Sequence, residues 1–133
     1  MQLFVGFQLP IMFMKYKITN EKEDFMEHLK RELRERYIST YNECKKFKYF
    51  PRAFLDMAVS NEDIIEVTRR LIHKEGGTSG FTTLFENKRM DLSVEKIVLE
   101  SGYWELFTCE DLQAAYNRLK QFEYNQLDEI EAP

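Results

Sequence analysis

The chain has 133 residues, enough for one domain with its own core, and 44% apolar with 32% charged residues exclude a disordered polypeptide. Three Pro and five Gly supply too few turns for a many-stranded fold, so the helical class is favoured. The net charge of −4 gives no overall attraction to polyanions, but it is unevenly spread: residues 1–90 hold 16 Lys/Arg against 13 Asp/Glu (+3), and residues 91–133 hold 3 against 10 (−7).

Residues 1–13 are nearly uncharged and very apolar. They are too few to span a bilayer, Pro10 interrupts them, and they lack the basic start and small-residue cleavage site of a secretory signal. Two readings stand. Translation starts at Met14 and the first thirteen residues are upstream read-through, or they form a short strand or hydrophobic arm that docks on a partner.

Asn20 with Glu23 resembles a capping box, and Phe25, Leu29, Leu33, Tyr37 and Tyr41 follow at intervals of four, then Cys44. This predicts a long helix over about 21–47, supported by the i,i+4 pairs Glu27–Arg31 and Glu32–Arg36. Pro51 suits the first turn of a short helix ending near Met57. Ser60 and Asp63 cap a third helix with Ile64, Val67 and Leu71 buried, ended by Gly76 and Gly77. Thr78 or Ser79 starts a short helix bearing Phe81, Leu84 and Phe85. Asp91 is the expected cap of the next, which Ser101 and Gly102 close. Thr108 followed by Glu110 and Asp111 opens a last helix with Leu112, Ala115, Tyr116, Leu119 and Phe122 inward and Arg118 and Lys120 complementing its C-terminal dipole. The sum is an all-α, compact single-domain bundle of about six helices over residues 14–124, with one long N-terminal helix and a fraying acidic tail at 125–133.

The most specific stretch is 80–95, Gly-Phe-Thr-Thr-Leu-Phe-Glu-Asn-Lys-Arg-Met-Asp-Leu-Ser-Val-Glu. With Leu106-Phe107-Thr108, Ala115-Tyr116-Asn117-Arg118-Leu119 and an upstream match at 51–57, it resembles a family of small bacterial proteins of uncharacterised function. Their pattern reads Gly-Phe-Thr-x-Leu-Trp-Glu-x-x-Arg-Leu-Asp-Leu-Thr-Val-Glu. Phe85, Met90 and Ser93 depart mildly from it. The resemblance covers just over half the chain and implies a helical fold and a cytoplasmic bacterial setting, without an activity or a catalytic residue to carry over.

No chemistry announces itself. Asp91 and Glu95 on one helix face could share a metal or a proton, but further ligands are wanting nearby, and capping by Asp91 with Arg89 paired to Glu95 or Glu86 is the simpler reading. His28 and His73 have no nucleophile held beside them in sequence. The loop 76–80 matches neither a Walker nor a dinucleotide spacing and reads as a helix end. Cys44 and Cys109, 65 positions apart without metal or redox spacing, read as free thiols of a reducing cytosol. No cofactor, metal or catalytic residue is assigned.

The expected function is therefore a non-enzymatic helical interaction module or regulatory subunit with an unidentified protein partner, in a bacterial or phage cytoplasm and off the membrane. Its expected contact surface joins Tyr103, Trp104 and Phe107 to the basic stretch 45–52; the competing reading has Trp104 close the core between the last two helices. The alternative is a nucleic-acid-associated accessory protein that contacts phosphates through Lys45, Lys46, Lys48 and Arg52 and stacks bases on the interleaved Phe47, Tyr49 and Phe50.

Overall fold

A computed structural model describes residues 2–122, with side chains from residue 14 onward other than residue 16. The tail 125–133 lies outside the described residues. Six α-helices follow one another: α1 (Gln2–Lys45), α2 (Arg52–Val59), α3 (Ile64–Ile72), α4 (Ser79–Glu86), α5 (Val94–Val98) and α6 (Cys109–Gln121). Two 3-10 turns, Met90–Leu92 and Ser101–Leu106, flank α5, and no strand occurs among the described residues.

The long helix begins well before its expected start. Asn20 lies inside α1 and does not cap it, and the backbone stays helical through position 10. Residues 14–24 contain no Gly or Pro, and one interior Asn costs only about 0.5–0.7 kcal/mol relative to Ala, too little to end a helix. The stripe spaced by fours is buried only from Leu29 onward. Leu33 and Tyr37 are fully buried, whereas Phe25 is 51% exposed, because the body of the protein begins opposite Met26 and Leu29.

Helix α5 is the centre of that body. Its neighbouring residues Ile97 and Val98 are both fully buried, yet they serve different clusters. Ile97 joins Leu33 and Tyr37 of α1 with Ala58, Ile64 and Leu106. Val98 joins Ile72 of α3, Phe81 of α4 and Leu112, Ala115 and Leu119 of α6. With partners on both sides, Ile97 and Val98 face different clusters, Glu95 is buried with them, and Val94 and Lys96 are only partly exposed. Between the clusters the buried Tyr37 and Thr68 hydroxyls satisfy each other at 2.8 Å.

Polar side chains set the corners. The Arg34 guanidinium donates to the carbonyls of Ala58 (3.0 Å), Ser60 (3.1 Å) and Glu62, closing the end of α2 and fixing the turn into α3. Asp63 caps α3 by accepting from the Ile65 N–H, and Thr78 caps α4 by accepting from the Phe81 N–H. Ser93, rather than Asp91, caps α5, its hydroxyl accepting from the Lys96 N–H at 3.2 Å. Asp91 falls in the preceding 3-10 turn, where Arg89 grips both its carboxylate oxygens. The chain after α5 continues as the second 3-10 turn instead of closing at Ser101 and Gly102.

Leu33→Ala removes a buried side chain between α1 and α5, and a loss of about 2–5 kcal/mol is expected in urea unfolding. Phe25→Ala, on the same stripe but outside the body, is expected to change the unfolding free energy by less than about 0.5 kcal/mol.

Candidate functional site

The stretch 80–95 folds into the wall of a cavity. The cavity holds about 380 Å³, within the range of ligand sites. Phe81 and Leu84 come from α4, Leu92 and Ser93 from the turn into α5, Thr40 and Cys44 from α1, and Phe54 and Met57 from α2. The lining is chiefly apolar. Burial pushes the Cys44 thiol above its ordinary pKa, so it stays protonated and inert. Gly80 is needed here for closeness: a Cβ at that position would stand 3.1 Å from the Tyr49 hydroxyl and 3.7 Å from Thr78 Oγ1.

Glu95 lines the cavity from within and is 2% exposed. Its carboxylate accepts from Arg118 Nη1 at 3.1 Å, not from Arg89. Burial pushes the Glu95 pKa up, and the hydrogen bonds from its own N–H and from Arg118 oppose that rise without cancelling it. Arg118 also donates to the carbonyls of Leu71 (3.3 Å) and Lys74 (2.5 Å), so one guanidinium binds α6 to α5 and to the end of α3. Its stem lies over Gly77, where the φ of +85° calls for glycine; a Cβ there would stand 3.6 Å from Arg118 Nε, an ordinary contact, so the backbone angle and not the space sets the requirement.

A second polar knot lies nearby on α6. Asp111 is fully buried and accepts from His73 Nε2 at 2.7 Å, from Arg69 Nε at 3.1 Å and from the Thr108 N–H at 3.0 Å. Thr108 returns a bond to the Asp111 N–H, completing a capping box. Burial alone would raise the Asp111 carboxyl, but the bonds from His73, Thr108 and Arg69 outweigh it and hold the pKa at about 2. His73 is thus spent on joining α3 to α6. No Ser or Cys is hydrogen-bonded to its ring among the described residues, and none of these residues form a group of three or more His, Cys, Asp or Glu able to hold a metal.

The expected contact residues are placed as follows. Trp104 is half-buried against the α3–α6 cluster, its Nε1 donating to the Leu99 carbonyl at 2.9 Å. Tyr103 packs on the α1–α5 cluster, and Phe107 touches both. None of the three lines the cavity. The basic stretch forms the end of α1 and the link to α2. Lys45 lies over the Tyr41 ring at 5.5 Å, Lys46 pairs with Glu43 at 2.7 Å, and Lys48 takes a left-handed φ of 62° that stops the helix. Arg52, exposed at the cavity mouth, has no ion pair among the described residues. Phe47 and Tyr49 turn inward onto the Cys44, Leu84 and Leu92 cluster, which leaves Phe50 exposed.

Other expected pairs are re-partnered. Glu27 binds Lys30, Glu32 binds His28, and Arg36 reaches across to Glu100 at 3.1 Å. Asp111, buried, and Arg118, mostly covered, are read from sequence as dipole complements and prove to be links between helices. A signal existed: both occupy the inward stripe of α6 with Ala115, Leu119 and Phe122, and charges on an apolar stripe need buried partners.

Comparisons with protein families, with curated proteins and with solved structures found no match.

Two outcomes follow from these knots. Arg118→Leu strands the Glu95 charge and is expected to cost about 3–5 kcal/mol in chemical unfolding, with Glu95→Leu/Arg118→Leu recovering most of that loss. The Asp111 pKa lies below its ordinary 3.8, so its contribution to stability is present above that value and is lost as pH falls towards about 2. Acid titration of Asp111→Asn is expected to give a flatter loss of stability over that window, from a lower starting point.

Proposed function

We propose that this chain is a non-enzymatic interaction module of a bacterial cytoplasm, and that it receives a partner's segment in the cavity walled by residues 80–95. The observation that carries the reading is the cavity itself: an apolar recess of about 380 Å³ whose exposed cation at the mouth, Arg52, is not engaged by any carboxylate of the described residues. Its occupant is a peptide segment with one large apolar side chain for the recess and an acidic residue beside it for Arg52. Apolar burial supplies affinity, and the charge pair supplies register. The two buried charges near the recess, Glu95 and Arg118, neutralise each other, so the interior favours an uncharged anchor.

The resemblance of stretch 80–95 to small bacterial helical proteins supports the setting. The nucleic-acid alternative needs aromatics free to stack beside Lys45, Lys46, Lys48 and Arg52. With Phe47 and Tyr49 packed inward, only Phe50 offers a ring there, and the protein reading is preferred for that reason.

Display of random twelve-residue peptides against the intact chain tests this. Selected peptides are expected to share one large apolar residue with an Asp or Glu close by. Ala53→Trp, which fills the mouth from exposed α2, and Arg52→Glu are each expected to weaken binding about tenfold or more, equivalent to 1.4 kcal/mol. Peptides that bind both variants like the parent, or a failure to select any, overturn the reading. Salt-sensitive binding of single-stranded oligonucleotides, lost on reversal of Lys45, Lys46 and Lys48, turns it to the alternative.

A further inference from the structure

Three buried polar side chains line the cavity: Thr40, Ser93 and Glu95. Two of them are fully engaged. Thr40 Oγ1 donates to the Arg36 carbonyl at 2.9 Å, and Ser93 Oγ donates to the Met90 carbonyl at 2.7 Å while accepting from the Lys96 N–H. Glu95 has capacity to spare. An ionised carboxylate offers about four acceptor sites. Arg118 takes one on Oε1 and the Glu95 N–H takes another, but no group of any other described residue is hydrogen-bonded to Oε2. Arg118 does not line the cavity, so the carboxylate is the member of the pair that an occupant meets.

This spare oxygen selects the occupant. A wholly apolar anchor would shut off the open acceptor sites of Glu95 without replacing water there, which costs affinity. A cationic anchor would bring a second positive charge beside Arg118, and an anionic one would be repelled by Glu95. What remains is a neutral group on the far end of an apolar body. Burial pushes the Glu95 pKa up, and a hydroxyl suits both protonation states, donating to the carboxylate or accepting from the carboxyl, whereas an indole N–H can only donate. We propose that the anchor is a tyrosine of the partner's segment, its ring against Phe81 and Leu84 and its O–H hydrogen-bonded to Glu95 Oε2. The acidic neighbour of that tyrosine stays at the mouth with Arg52. The inference rests on the cavity's being a peptide site and names the residue that fills it. A buried tyrosine needs a partner for its hydroxyl, and Glu95 is placed to be that partner.

Protein-observed NMR of the intact chain, titrated with para-cresol and with toluene, tests this, because the two probes differ only in the hydroxyl. The cresol is expected to shift the amides of residues 92–95 and to bind about tenfold more tightly than toluene, although toluene is the more apolar. In Glu95→Leu/Arg118→Leu, shown to be folded by circular dichroism, that preference is expected to vanish or reverse. Peptides selected by display are expected to carry Tyr as the anchor, and replacing it by Phe to weaken binding to the parent chain about tenfold. Toluene bound as tightly as the cresol, neither probe bound, or peptides indifferent to the loss of the hydroxyl overturns the inference, while selected peptides lost on Arg52→Glu keep the interaction reading. A preference for the cresol with no peptide selected has the opposite meaning: the hydroxyl site stands and the peptide reading falls.

Discussion

The ion pair of Glu95 and Arg118 is the constraint on which the other packing depends. Arg118 meets a carboxylate on α5, two carbonyls at the end of α3 and the glycine turn that follows, all from one position on α6. Helix α5 has only five residues and cannot be stable by itself, since an isolated helix of that length has paid the cost of nucleation with almost no hydrogen bonds in return. Its place is decided by apolar contacts on both sides and by this charge at its start. Removing water from two ions is costly, so such a pair adds little net stability over an apolar substitute. It does fix which arrangement of α3, α5 and α6 is allowed, because any other leaves a charge buried without a partner.

The same logic explains why stretch 80–95 is so short of filler. Phe81 and Leu84 fill two clusters, Arg89 and Asp91 close a tight turn on each other, Ser93 starts α5, and Glu95 meets Arg118. Nearly every residue has a structural partner. The segment also walls the cavity, so the shape of the recess follows from the body's central packing and is not a loop feature that could vary independently. A substitution that disturbs α5 therefore changes the recess and the stability together.

Much of this was legible in the sequence, and the limits have physical causes. The all-α class, the cap at Thr108, the inward face of α6 and the Thr78 start of α4 follow from periodicity and local hydrogen-bonding chemistry, which act over a few residues. The start of α1 was not legible, because a capping pattern such as Asn20 with Glu23 shows where a helix can begin, and only the absence of a stronger breaker lets it run on. Phe25 shares the spacing of Leu29 and Leu33 but not their burial, which depends on where the rest of the chain sits. Partners of charges were the least legible. Arg36 with Glu100 and Arg118 with Glu95 are separated by 64 and 23 positions, and i,i+4 reasoning cannot reach them. The cavity arose from distant segments of α1, α2, α4 and the turn into α5; stretches 45–57 and 80–95 each drew notice, but local pattern could not show that they meet.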